Sequence, residues 1–161
     1  PLNSLTFAVL LAFGATAILL AIPSVRILSA GPSSVIGKAM ADGTSSETLV
    51  ILALIAVFKT SLSEEILFRG VIGKPLIEKF GFAIGNTIQA IAFAAVHLLL
   101  LLDPNADRLA AYVLIAFAGT MGWINGWLNE RLGRGSIVPG WVVHAVANLL
   151  AYWALALRLF G

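Results

Sequence analysis

The sequence predicts an all-α fold, a polytopic bundle of about five membrane helices, on three observations. Only 11% of the 161 residues are Asp, Glu, Lys or Arg and 60% are hydrophobic, against roughly 25% charged in a soluble domain. Ten basic and eight acidic side chains cannot clothe a water-facing surface of this size, and the mean hydropathy of +0.98 agrees. The charges fall between long uncharged runs, and each run has about the 20 residues a helix needs to cross the hydrocarbon. The runs are also apolar at nearly every position, as in 7–15 and 109–119, where outer-membrane strands would alternate. Helices satisfy their own backbone in lipid and open sheets do not.

Taken in order, the first span is the uncharged run 1–25, which lacks a positive leading region and reads as a span instead of a signal peptide. The connector 29–47 collects Gly, Pro, Ser and Asp and reads as a loop or interfacial segment. Thr44 and Glu47 have capping-box spacing, so Thr44 is the expected N-cap of the next helix. The second span, 48–72, is apolar but interrupted by Lys59, Glu64, Glu65 and Arg69. Gly73, Pro75 and Gly81 mark a short connector, followed by the third span, 80–102, whose one titratable group is His97. Asp103-Pro104-Asn105 reads as a turn before the uncharged fourth span, 109–129. The loop 130–140 precedes the last span, 135–157 in outline, where Pro139 suits a helix start and His144 is the one titratable group. Short loops imply antiparallel neighbours. We expect a single membrane-embedded domain over 1–161 with a motif-bearing core at about 48–158. Lys and Arg divide evenly between the two sides of a five-span layout, so the positive-inside rule does not orient the chain.

Polar groups inside spans are costly and therefore informative. In Thr60-Ser61-Leu62-Ser63-Glu64-Glu65, with Arg69 beyond, Glu65 and Arg69 are four apart and share a helix face. Glu64 points about 100° away. One carboxylate is thus tied to a cation and the other is free for chemistry, unless all three face water at a membrane boundary. Phe93 and His97 are four apart, as are His144 and Asn148, and the chain has no other histidines. A carboxylate and an imidazole can hold and deprotonate a water, and His and Asn donors can stabilise the oxyanion that grows on a peptide carbonyl. Two Glu and two His could alternatively bind Zn²⁺, though from three helices and without H-E-x-x-H. With no cysteine in the chain, disulfides, thiolate metal sites and a cysteine nucleophile are excluded. No phosphate-binding glycine loop and no basic cluster with interleaved aromatics is present, so nucleic acid is not an expected partner.

The ordered set E-E-x-x-x-R (Glu64, Glu65, Arg69), F-x-x-x-H (Phe93, His97) and H-x-x-x-N (His144, Asn148) in hydrophobic helices resembles the CPBP family. These are the CAAX-processing and bacteriocin-processing intramembrane peptidases, also called Abi proteins, and the likeness spans about 60–150. The resemblance implies a glutamate-type intramembrane endopeptidase without a cofactor, zinc being the older alternative. It matches Glu64 and His97 to the water-activating pair and His144 and Asn148 to the oxyanion pair. Glu65 and Arg69 match supporting positions, and Phe93 the aromatic one turn before His97. The implied partners are a peptide or protein substrate, prenylated or not, and membrane lipids; the implied location is integral to a membrane, with the prokaryotic plasma membrane favoured. Competing readings are a non-catalytic immunity or scaffold protein and a transporter, which would predict repeats and an even polar path. Neither is seen in the sequence.

Other residues carry milder expectations. Lys59 reads as a counter-charge or a snorkelling cation, and the hydroxyls of Ser61 and Ser63 as bonded to helix carbonyls or neighbouring helices. Gly119, Gly122 and Gly126 form a small-residue face suited to close helix contact within the bundle or between copies. Asn125 is expected to bond inside the bundle. Tyr112, Trp127 and Trp141 fit interfacial anchors, whereas Trp123, Tyr152 and Trp153 are expected to pack within.

Overall fold

Four helix starts in this chain are set by short polar side chains. In the computed structural model, which describes residues 3–41 and 43–160, Asn3 accepts the Thr6 N–H at 2.7 Å and opens α1, Ser4–Leu20. The chain then bends by 98° into α2, Pro23–Ser29, with proline in the first turn where no N–H is required. Ser34 caps the short α3, Val35–Ala39, through the Gly37 N–H. Ser45 caps α4, Ser46–Leu54, through the Thr48 N–H. The cap is therefore one residue later than the sequence suggests. Thr44 instead donates its hydroxyl to the Ala156 carbonyl at 3.2 Å and ties this end of α4 to the last helix.

From Ser46 the chain stays helical to Phe80, but its middle is unwound to wider π turns over Ile55–Leu62 and Glu65–Gly73. The Ser63 and Lys74 N–H groups each reach back five residues, to Phe58 and Arg69. Such widening is uncommon and collects at functional sites. Lys74–Phe80 returns to α geometry as α5 and ends at Gly81, whose φ of +78° breaks the helix at no steric cost. α6 covers Phe82–Val96 and tightens into a 3₁₀ stretch, His97–Leu102. Asp107 caps α7, Arg108–Trp127, which continues through a wide turn at Leu128–Leu132. The last helix, α8, is Val138–Ala156, with Pro139 in its first turn.

The fold is all-helical among the described residues. Three helices are long and apolar enough to cross a membrane, Phe82–Leu102, Arg108–Leu132 and Val138–Ala156, or four if the bent pair α1 and α2 is one span. The expectation of five is thus approximate: the motif-bearing run is helical throughout, yet alternates between α and wider turns, with α4 itself only nine residues long. α8 lies at the centre, packed on α1, on α4 and on the wide segment Ile55–Leu62, while α6 packs along α7.

Outward-facing positions are apolar, Leu10, Ile18, Ile91, Leu99 and Leu109 among them, whereas Ser61, Glu65, Arg69, Asn86, Gln89, Asn125 and Asn129 are buried. That inversion of the soluble pattern suits a lipid solvent. The small residues lie inside: a Cβ at Gly119 would meet Ala94, and at Gly122 it would meet Phe93 and Arg69. The small-residue face of α7 therefore serves contact with α6 within the chain. Two expectations for tryptophan exchange places. Trp141 turns inward and donates its indole N–H to the Val57 carbonyl at 2.9 Å, while Trp123 and Trp153 are 38% and 39% exposed. The indole N–H needs an acceptor wherever the ring packs, and Trp123 and Trp153 find theirs on Thr87 and Leu49 at the bundle surface.

Candidate active site

Four helical segments bring the motif residues together. The widened run supplies Ser61, Glu64, Glu65 and Arg69, α6 supplies Phe93 and delivers His97 at its C-terminus, and α8 supplies His144 and Asn148. α7 adds Asn125. Arg69, Phe93, His97, Asn125, His144 and Asn148 line one cavity of about 170 Å³, whose remaining wall comes from apolar and small residues of α1, α7 and α8, Ala15, Leu114, Phe117 and Met121 among them.

Glu65 is fully buried, and a charge there must be compensated. Three donors converge on its Oε1: Arg69 Nη1 at 3.1 Å, His144 Nδ1 at 3.3 Å and Asn125 Nδ2 at 3.4 Å. The pairing of Glu65 with Arg69 read from the sequence is present, but as a charge contact without hydrogen-bond alignment. The guanidinium carbon sits over the Phe93 ring, 4.3 Å from its centroid. That gives the buried cation a second, electrostatic partner.

Phe93 is the hub of the constellation. Its ring is buried, with Phe68 and His97 each 5.0 Å away and His144 at 6.0 Å, all edge to face. The His97 Nδ1 lies 2.9 Å from the Phe93 carbonyl. A carbonyl can only accept, so this contact assigns the proton to Nδ1 and leaves the Nε2 lone pair of the neutral ring available. The phenylalanine of F-x-x-x-H thus orients the histidine by both its ring and its backbone.

Glu64 is less enclosed than Glu65, at 31% exposure of its side chain. The imidazole in contact with it is that of His144, with Nε2 3.6 Å from Glu64 Oε2. His144 therefore stands between two carboxylates, one at each ring nitrogen. Among the described residues no three His, Asp or Glu side chains are grouped to hold a metal ion. Asn148 donates its amide to the Ser61 hydroxyl at 3.1 Å, which gives this serine a role in holding Asn148. Ser63 bonds back to the helix carbonyls of Lys59 and Thr60, and Lys59 is exposed.

Charge-based reading of the sequence passes over a second polar layer. Gln89 donates to the Gly122 carbonyl at 3.0 Å and to Asn86, and Asn86 donates to the Trp123 carbonyl at 2.9 Å. Asn129 accepts the Gly140 N–H at 2.7 Å. The signal that could have found them is an amide in an otherwise apolar run, since each such group needs a partner in lipid. Outside the membrane segments, Ser33 donates to Asp103 at 2.7 Å and the Asn105 N–H adds a second bond. Together they hold the Asp103 carboxyl below its ordinary range.

Residues 46–150 match the family model described as Type II CAAX prenyl endopeptidase Rce1-like. The matched stretch is well over half of the chain and contains every motif residue from Glu64 to Asn148. No curated protein and no solved structure matches the chain.

Proposed function

Because the chain belongs to the type II CAAX prenyl endopeptidase, Rce1-like family, and so is an integral membrane protease of the CAAX type, we propose that it hydrolyses its substrate by a glutamate mechanism without a metal. The observation that supports this most is the convergence of His97, His144 and Asn148 on one cavity with Glu64 at the His144 ring edge. Glu64 takes a proton from a water that His97 also holds through its free Nε2. The resulting hydroxide attacks the peptide carbonyl. His144, tied to Glu65 at Nδ1 and facing Glu64 at Nε2, is placed to receive the proton from Glu64. It then donates, with the Asn148 amide, to the oxyanion. Collapse of the tetrahedral species returns the proton to the leaving amine. Glu65, Arg69 and Phe93 hold these groups in register. The apolar remainder of the cavity accommodates a membrane-associated peptide, prenylated or not, in what we take to be a prokaryotic plasma membrane.

The test is cleavage of internally quenched peptides carrying a farnesylated cysteine near the C-terminus, and of the same peptides without the lipid, by the protein in liposomes. Wild type is expected to release fluorescence in the presence of a strong chelator, and Glu64→Gln to release none while melting at the wild-type temperature. Full activity in Glu64→Gln would remove the base from the mechanism. Loss of wild-type activity with chelator, restored by Zn²⁺, would replace it with metal catalysis.

A further inference from the structure

We propose that Asn129, which belongs to none of the motifs, is a positioning residue that sets the location of His144 through Gly140. Asn129 lies in the wide turn at the end of α7 and is 2% exposed. Its Oδ1 accepts the Gly140 N–H at 2.7 Å. That N–H belongs to the first turn of α8, where backbone donors have no partner within the helix, and the residue before α8, Ile137, offers no side-chain cap.

Asn125, four residues earlier on the same face of α7, reaches the Gly140 carbonyl at 3.5 Å and Glu65 Oε1 at 3.4 Å. Two amides of one helix therefore grip the peptide units on either side of Gly140. The grip is close: a Cβ on Gly140 would stand 2.8 Å from both polar atoms of the Asn129 amide and 2.9 Å from Glu65 Oε2. This approach of backbone to carboxylate is possible only for glycine.

His144 is one helical turn beyond Gly140, on the same face. Its ring is suspended between Glu64 and Glu65 at 3.6 and 3.3 Å, so a small slide or rotation of α8 changes both distances at once. The hydrogen bond from Gly140 to Asn129 fixes the backbone of α8 one turn before His144 and so resists such a slide, where the neighbouring bond of Trp141 to the Val57 carbonyl is made by a side chain. His97, carried by α6 and held on the Phe93 carbonyl, is independent of it. The inference rests on the catalytic role proposed for His144, since a misplacement of about 1 Å in such a site can cost about 10²-fold in rate.

The experiment uses the whole chain in detergent micelles with ¹⁵N-labelled histidine, its two imidazoles assigned by His97→Gln and His144→Gln. Asn129→Leu removes the acceptor at similar size, and Asn129→Ala removes it without adding bulk, so that one variant carries the test if the other does not fold. In the two acceptor-less variants the ring nitrogens of His144 are expected to change chemical shift while those of His97 stay. Turnover should fall at least about tenfold, with KM within about twofold of wild type. Unchanged His144 signals, or equal movement of both histidines, overturns the proposal by showing no link or a general loosening. A selective His144 shift in a protein that cleaves no peptide upholds the link from Asn129 to His144 and defeats the peptidase reading instead.

Discussion

Removing the Arg69 guanidinium while keeping an apolar side chain of similar reach, as in Arg69→Met, strands a carboxylate that has no exposure at all. Glu65 is fully buried and Arg69 nearly so, with 3.1 Å between their charged atoms. Breaking a buried pair from one side costs about 3–5 kcal/mol, most of it the penalty for the charge left behind. The contact of the guanidinium with Phe93, at 4.3 Å, adds up to about 2 kcal/mol when desolvated, part of which a methionine sulfur on the same ring retains. Taking about 4 kcal/mol in all, and about 2–4 °C per kcal/mol for a domain of this size, the melting temperature should fall by about 8–16 °C. The four tryptophans provide the fluorescence signal for thermal unfolding in micelles. Adding Glu65→Gln removes the stranded charge but keeps an acceptor for Asn125 and His144, so the double variant should recover at least half of the loss. A melting temperature within about 2 °C of wild type for Arg69→Met would refute the buried-pair argument. A double variant no better than the single would locate the arginine's contribution in packing on Phe93 and not in charge.

Other perturbations test neighbouring parts of the structure. Asn148→Ala removes an amide that faces the cavity from its bond to Ser61; turnover should drop about 10²–10³-fold as for an oxyanion donor, and a rise in KM with kcat intact would reverse that assignment. A Cβ at Gly126 would fall on the Asn86 amide, whereas one at Gly119 meets the methyl of Ala94 at 3.2 Å. Gly126→Ala should therefore cost about 1–3 kcal/mol and Gly119→Ala clearly less, and equal melting temperatures would contradict the packing of α6 on α7. For Asp103 the carboxyl is held low first by the Ser33 hydroxyl and then by the Asn105 N–H. A folded-state value below the unfolded one contributes stability that is present above the unfolded pKa and is lost as pH falls through the folded value. Ser33→Ala should raise the Asp103 midpoint, followed by carboxyl ¹³C shifts, and flatten the acid side of the stability profile. An unmoved midpoint would show that the Asn105 N–H alone holds the carboxylate.

The part of the site legible in the sequence consists of groups whose cost in lipid makes them conspicuous. Glu64, Glu65, Arg69, His97 and His144 stand out because almost nothing charged or titratable surrounds them, and spacing by four places Glu65 with Arg69 and His144 with Asn148 on shared faces. The helical class follows from composition in the same way, because runs of uncharged apolar residues have one stable backbone solution in a membrane. Helix ends are less legible. Capping-box spacing points to Thr44, yet Ser45 takes the cap while the Thr44 hydroxyl is bonded to the Ala156 carbonyl, which comes from the far end of the chain.

Composition and local spacing by themselves determined the lipid solvent, the helices and the identity of the chemically able side chains, since each depends only on residues within a turn or a span. Which carboxylate meets which imidazole, the inward turn of Trp141, the hub role of Phe93 and the grip of Asn125 and Asn129 on Gly140 were decided by tertiary structure alone. Apart from the contact within F-x-x-x-H, they join residues from 11 to 84 positions apart. They depend on the rotation and register of whole helices, which are set by where small residues let backbones approach and where buried amides find partners. Glu64 and Glu65 are neighbours in the chain, and only the packing of α8 against the widened run gives His144 to both.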